Sequence, residues 1–246
     1  MERCLSFTVR SNERLNLRMN LPTLPLRARR KGEPANETRA LILDAAQTLF
    51  AAHGFEATSM RMITTTAGVN LAAVNYHFGS KDELVRAVIL RRLQPLNALR
   101  MQALDEAEAV AGDAPVKARA IVECFFGGSL TMAAESGQGR EFMRLLGRTF
   151  TEPSAVVRDC LAVEYAPVIA RYRDALSRAL PTVPVEDIVW RLHFMFGAMS
   201  HAVSGLDALQ AVTGVQVEGP DAMKRMVPRL MSFLLGGLRA PLPEAV

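Results

Sequence analysis

Leu41, Ile42, Ala45, Ala46, Leu49 and Phe50 recur at steps of three and four residues, and His53-Gly54 closes the run. That spacing predicts an amphipathic helix over Glu37–His53 with one face on a core. Thr58 and Ser59 suit the cap of a short second helix that turns Ile63 and Ala67 inward and ends at Gly68. A third short helix starts at Asn70 or Leu71. Ser80-Lys81-Asp82-Glu83 has the form of a capping box, in which serine and glutamate satisfy each other's backbone donors at a helix start. A long fourth helix follows to Glu108, with Pro95 expected to remove one backbone hydrogen bond and bend it. After a loop at 111–115, helical periodicity resumes over Pro115–Glu135, Gly139–Phe150, Ser154–Leu180, Val185–Gly205 and Asp221–Leu238. Alternating β-branched runs are scarce, so the expected fold class is all-α.

The third helix carries the first chemical signal. At roughly 100° per residue, Leu71, Val74 and Phe78 share one side and Ala72, Ala73, Tyr76 and His77 share the other. The first set is expected to anchor the helix and the second to face out. Two short helices joined through Gly68-Val69-Asn70 form a helix-turn-helix pattern, whose second helix enters the major groove of DNA. Ala72 and Ala73 are small enough to let the helix lie deep, and their methyls suit thymine methyl groups. Asn70 and Asn75 offer amides that read adenine or bond phosphate, while Tyr76, His77 and Lys81 stand where they grip backbone oxygens. Ser59, at the start of the second helix, joins this set.

Charge refines the picture only when it is split by region. Residues 1–35 carry eight basic groups and three acidic ones, a balance of +5, whereas the whole chain carries +4. Such an arm attracts phosphate or anionic lipid, or else it is a solvated tail, or an over-long start with Met19 as initiator. Three cysteines without motif spacing (Cys4, Cys124 and Cys160) suit a reducing cytoplasm and receive no chemistry. The most apolar stretches are short and interrupted by Glu123, His193 and His201, which predicts buried helices and no membrane span. Glycine-rich phosphate loops, nucleophile elbows and H-E-x-x-H are lacking. His193 and His201 differ by about 80° in azimuth, poor geometry for a shared metal. Neither an enzyme nor a metal or cofactor is expected.

The stretch "LILDAAQTLFAAHGFEATSMRMITTTAGVNLAAVNYHFGSKDEL", and its "AGVNLAAVNYHFGSKDEL" part above all, resembles the N-terminal domain of TetR-family transcriptional regulators. By that resemblance Arg61 falls at a second-helix position that reaches a base in some members, and Tyr76, His77 and Lys81 fall on common phosphate-contact positions. The resemblance implies a homodimer on palindromic operator DNA and a C-terminal helical domain that binds a small inducer and dimerises. The expected division is a basic tail over 1–35, a DNA-binding domain over 36–83, and a ligand-binding and dimerisation domain over 84–240. "EFMRLLGRTF" and "WRLHFMFGAMSHAVSG" are similar to parts of PsrA-type regulators, repressors released by long-chain fatty acids, so a fatty acid or acyl-CoA is the expected inducer.

An apolar helical cavity with few polar groups is the expected ligand site. Its candidate lining is Phe125, Phe142, Leu145, Leu146, Tyr165, Tyr172, Phe194, Met195, Ala198 and His201, with Arg144, Arg148 or His201 able to meet a carboxylate. Met223, Met226, Val227, Leu230, Leu234 and Leu238 form a stripe, and Gly197, Ala198, Ala202 and Gly205 admit a close backbone, which together point to dimerisation through the last two helices or to completion of the monomer's core. A helical protein that uses its basic tail on lipid or on a partner remains an alternative, as does a regulator of another ligand class.

Overall fold

The computed structural model describes residues 34–149, 154–204, 206–214 and 222–242. The basic arm, Cys4 and Gly205 lie outside the described residues, as does the Met223 side chain. Among the described residues the chain is all-helical: α1 (Pro34–His53), α2 (Met60–Ala67), α3 (Leu71–Phe78), α4 (Lys81–Ala111), α5 (Ala118–Glu135), α6 (Gly137–Thr149), α7 (Ala155–Ala179), α8 (Val185–Ser204), α9 (Leu206–Thr213) and α10 (Ala222–Leu238). Nine of these correspond to the expected helices with shifts of a few residues at their ends. Helix α9 is not among the expected elements: the expected helix before it ends at Gly205, and the eight-residue run LDALQAVT beyond it is too short for periodicity to mark a helix.

The small N-terminal unit is built by α1, α2 and α3 around Ile42, Leu43, Ala46, Phe50, Phe55, Ile63, Val74 and Phe78. Phe50 and Phe55 bracket the α1–α2 turn with ring centroids 5.4 Å apart. Buried Thr58 fixes the same turn by donating its hydroxyl to the Gly54 carbonyl at 2.7 Å. Between α2 and α3, Gly68 takes a φ of 67° in the left-handed region, and no atom stands within 4 Å of where its Cβ would be. Glycine is therefore required there by backbone conformation and not by space.

Helix α4 leaves this unit at the Ser80 cap and runs through the second layer of helices, packing against α5 and α7. It continues through Pro95, which lies on its exposed side, where the missing N–H and the ring meet solvent. Only half of the expected capping box forms: the Ser80 hydroxyl accepts from the Glu83 N–H at 3.1 Å, while the Glu83 carboxylate lies 3.6 Å from Arg86. Helix α6 sits in a close-packed position, since a Cβ on Gly139 would lie 2.0 Å from the Met132 carbonyl oxygen. It packs at once on α1, α5 and α8 and so joins the N-terminal unit to the helical bundle.

Candidate functional site

Helix α3 has a cap at each end that sets how it is displayed. The Asn70 side chain accepts from the Ala73 N–H at 2.8 Å, and the Gly79 N–H donates to the Asn75 carbonyl at 2.8 Å. Val74 and Phe78 are buried against the core. Leu71, expected beside them, is 52% exposed. The reason is its place as the first helical residue: side chains lean toward the helix N-terminus, so Leu71 overhangs the α2–α3 turn instead of reaching the core.

On the opposite side Tyr76 is 83% exposed, the outward group on which the sequence reading turned. His77 is half-buried beside it, with ring centroids 5.1 Å apart and edge to face. Ala72 and Asn75 are exposed and Ala73 is half-buried, so the small-residue surface is present but narrower than the wheel implied. Asn70 spends its carbonyl oxygen on the cap, which leaves only its amide N–H groups for any further partner. Ser59 is engaged likewise, accepting from the Met62 N–H at 3.2 Å. The half-buried Lys81 donates to the Glu56 carbonyl at 3.2 Å. Arg61 is exposed on α2 and, with Leu49, Ser59, Met62, Thr65 and Thr66, lines a cleft of about 370 Å³. Exposed Arg39 on α1 sets its guanidinium 5.2 Å from the Phe78 ring centre, adding a cation near α3 that sequence patterning missed because α1 reads as scaffold.

The second layer gathers most of the expected ligand residues. Phe125, Phe142, Leu145, Leu146, Tyr165, Tyr172 and Met195 are buried in one apolar cluster, and Ala198 packs half-buried against it. Phe125 meets Tyr172 at 4.8 Å and Phe196 at 5.2 Å, and Tyr165 meets Phe196 at 6.0 Å. Two of the expected residues are elsewhere. Phe194 is 64% exposed, stacked on Trp190 at 5.8 Å, and His201 is exposed on the same helix. Both stand roughly half a turn around α8 from the inward Leu192–Met195–Met199 row, on its outer side. Neither expected arginine reaches the cluster: Arg148 donates to the Ala51 and Ala52 carbonyls at the end of α1, and Arg144 is exposed.

Sequence patterning missed the polar centre of this layer. Arg100 on α4 is fully buried and donates to the Phe125 carbonyl at 3.0 Å, to Asn97 at 2.9 Å and to the Ser129 hydroxyl at 2.8 Å. Its guanidinium stands 4.2 Å from the Phe125 ring centre and 5.6 Å from that of Tyr165. The Tyr172 hydroxyl donates to the Arg100 carbonyl at 2.6 Å, and burial pushes its pKa up. An arginine among helical charges gives no sign in sequence that it points inward. Burial pushes the Cys124 thiol up to about 11 and raises Cys160 as well, which keeps both thiols protonated and unreactive.

The expected partner stripe is also relocated. Leu230, Leu234 and Leu238 are buried inside the subunit, with Met226 and Val227 packed half-buried beside them, because α10 packs on α8 and α5. The outer faces of these helices instead show Val189, Trp190, Phe194 and Gly197 on α8 and Phe233, Gly236 and Gly237 on α10.

Residues 42–88 match the family model described as bacterial regulatory proteins, tetR family, and residues 123–237 match that of the tetracyclin repressor-like C-terminal domain. The chain is 41% identical over 69 residues to the HTH-type transcriptional regulator SrpR of Pseudomonas putida, covering 28% of this chain and 32% of SrpR. It is 46% identical over 70 residues to the HTH-type transcriptional repressor Rv3405c of Mycobacterium tuberculosis, covering 28% of this chain and 37% of that protein. These matches thus span about a third of each relative's length. Among solved structures, Salmonella enterica GusR superposes with a TM-score of 0.54 at 19% identity, over 86% of this chain and all of GusR, and a SmeT–triclosan complex with 0.54 at 21%, over 84% and 99%. These superpositions show the fold, including the helix-turn-helix unit and the helical C-terminal domain. Two matched models of one family, one for each part and together covering well over half of the residues, establish that the chain belongs to the TetR family of bacterial regulatory proteins.

Proposed function

We propose that this protein is a homodimeric repressor that reads a palindromic operator through α3 and releases it when a hydrophobic acid of the long-chain fatty-acid class enters the C-terminal helices. The observation that carries the reading is α3 itself. A short helix pinned by Val74 and Phe78 turns Ala72, Asn75 and an exposed Tyr76 to solvent, immediately after a glycine turn and before a serine-capped helix start. Small residues and polar tips on an anchored second helix are what groove entry needs, with Tyr76, His77, Lys81, Arg39 and Arg61 as its phosphate and base contacts. Residues 36–83 are the DNA-reading unit and 84–240 the ligand and dimer unit in this reading, and the basic tail adds sequence-independent attraction.

The dimer forms through the outer faces of α8 and α10, where Trp190, Phe194 and Phe233 are 53%, 64% and 68% exposed and glycines leave room for close approach. Pairing places two copies of α3 at a fixed separation, which makes the site a palindrome with half-sites about 34–36 Å apart or a multiple of that. Ligand entry changes this separation through α4 and α6, the helices that touch both layers. Moving from mostly bound to mostly released requires a ligand to distinguish the two forms by about 5.5 kcal/mol. Titrating long-chain fatty acids and their acyl-CoA thioesters into a complex of the full chain with its selected operator tests the inducer. Release at micromolar ligand is expected. Unchanged operator affinity would remove the fatty-acid class and leave DNA binding standing.

A further inference from the structure

We infer that Arg100 and Tyr165 form the anion-binding end of the ligand site, so that the inducer must carry a carboxylate and a neutral molecule of the same shape is a poor ligand. The inference rests on the reading of the C-terminal helices as a ligand domain and names the ligand's headgroup chemistry.

Arg100 is a fully buried cation whose described partners are all neutral: a backbone carbonyl, an asparagine amide oxygen and a serine hydroxyl. No carboxylate among the described residues is paired with it; the nearby Glu164 offers its backbone carbonyl to Asn97 and its side chain to Gln94. A guanidinium has two N–H groups on each terminal nitrogen, and one on each is used here. Burying a charge without an opposite charge is costly, so proteins normally supply the partner. Facing phenyl rings offset part of that cost but offer no acceptor.

The second observation is independent of the first. The Tyr165 hydroxyl is buried and has no hydrogen-bond partner among the described residues. Its ring lies beneath the Arg100 guanidinium and against Phe196. Tyr172, the neighbouring tyrosine, does bond, to the Arg100 carbonyl. A buried phenol that bonds nothing is worse for stability than phenylalanine, so its hydroxyl points to a partner that comes from outside the chain. Guanidinium N–H groups and a phenol O–H are donors toward a carboxylate, and the apolar rings of Phe125 and Phe196 border the two groups.

The test compares myristate with methyl myristate by calorimetric titration of the full chain and of its Tyr165→Phe variant. The expected results are acid bound at least tenfold more tightly than ester, and a loss of about tenfold in acid affinity in Tyr165→Phe with ester affinity unchanged. Without ligand the variant should melt about 2–4 °C higher, since it loses an unsatisfied group. Arg100→Met should abolish the preference for acid; where it fails to fold, Tyr165→Phe carries the test. Equal binding of acid and ester, or an acid-to-ester ratio that Tyr165→Phe leaves unchanged, overturns the headgroup site while the hydrophobic-ligand reading stands. Binding of neither molecule overturns both.

Discussion

Tyr76 concentrates the claim about DNA in a single group. Its ring stands out from α3 into solvent with His77 edge to face beside it. A phosphate contact carries no sequence information. Replacing Tyr76 by Phe should therefore weaken selected and random duplexes alike, by about 1 kcal/mol, in fluorescence anisotropy titrations. A loss confined to one sequence would make the hydroxyl a base reader. Much at this scale was legible in the chain: Ser59, Gly68, Ser80 and the outward Tyr76 all follow from local backbone chemistry that a handful of neighbouring residues decides. Leu71 was not, because a helical wheel treats every turn as equivalent and the first turn has no preceding turn to lean on. Arg100 was not, because only the packing of α4, α5 and α7 reveals that this arginine faces inward.

At the scale of elements, the pairing of α4 with α7 is secured outside the core by charge. Arg171 on α7 forks onto the Glu108 carboxylate, bonding one oxygen at 2.6 Å and the other as well, and reaches Asp105 at 3.0 Å, while Arg178 adds a contact to Glu108 at 2.7 Å. The hydrogen bond from Arg171, and then the positive charge of both arginines, hold the Glu108 carboxyl below its ordinary value of 4.5 against a partial opposing effect of burial. A depressed carboxylate contributes stability that is complete above its unfolded value and is lost as pH falls through the folded one. Chemical denaturation of the wild type should therefore show stability dropping from pH 5 downward, about pH 4.5 and below, and Glu108→Gln should be less stable at pH 7 with a flatter acid limb. An identical acid limb in the variant would place the loss elsewhere. The helices themselves were readable from periodicity. The short α9 was not: in the sequence Gly205 marks the end of α8, and the eight residues that follow are too few for periodicity to announce a further helix.

For the whole molecule, two layers share α4 and α6. Arg148 closes the α1 end by donating to the Ala51 and Ala52 carbonyls, Gln47 on α1 donates to the Gln138 carbonyl on α6 at 3.0 Å, and Arg92 on α4 reaches the Gln138 side chain at 2.7 Å. A shift of α6 thus reaches the N-terminal unit directly. The role of the last two helices was half legible: the sequence offered their stripe either for a partner or for the subunit's own core, and Leu230, Leu234 and Leu238 fill the core. Leucines at helical spacing serve either purpose, and only the position of α5 decides between them. Phe233→Glu places a charge in the proposed interface without touching the buried Leu230, Leu234 and Leu238. In analytical ultracentrifugation it should yield a folded monomer, and operator affinity should fall at least a hundredfold because one half-site gives up the second reading head. A folded dimer would move the interface to another face.

The most direct measurement is selection of duplexes by the purified full chain from a random library, followed by footprinting of the enriched sequence. The account predicts a palindrome whose half-sites lie one helical turn apart, about 34–36 Å, or a multiple of that, each covered by one α3. Enrichment of no sequence over random duplex, or of one lacking two-fold symmetry, would contradict it.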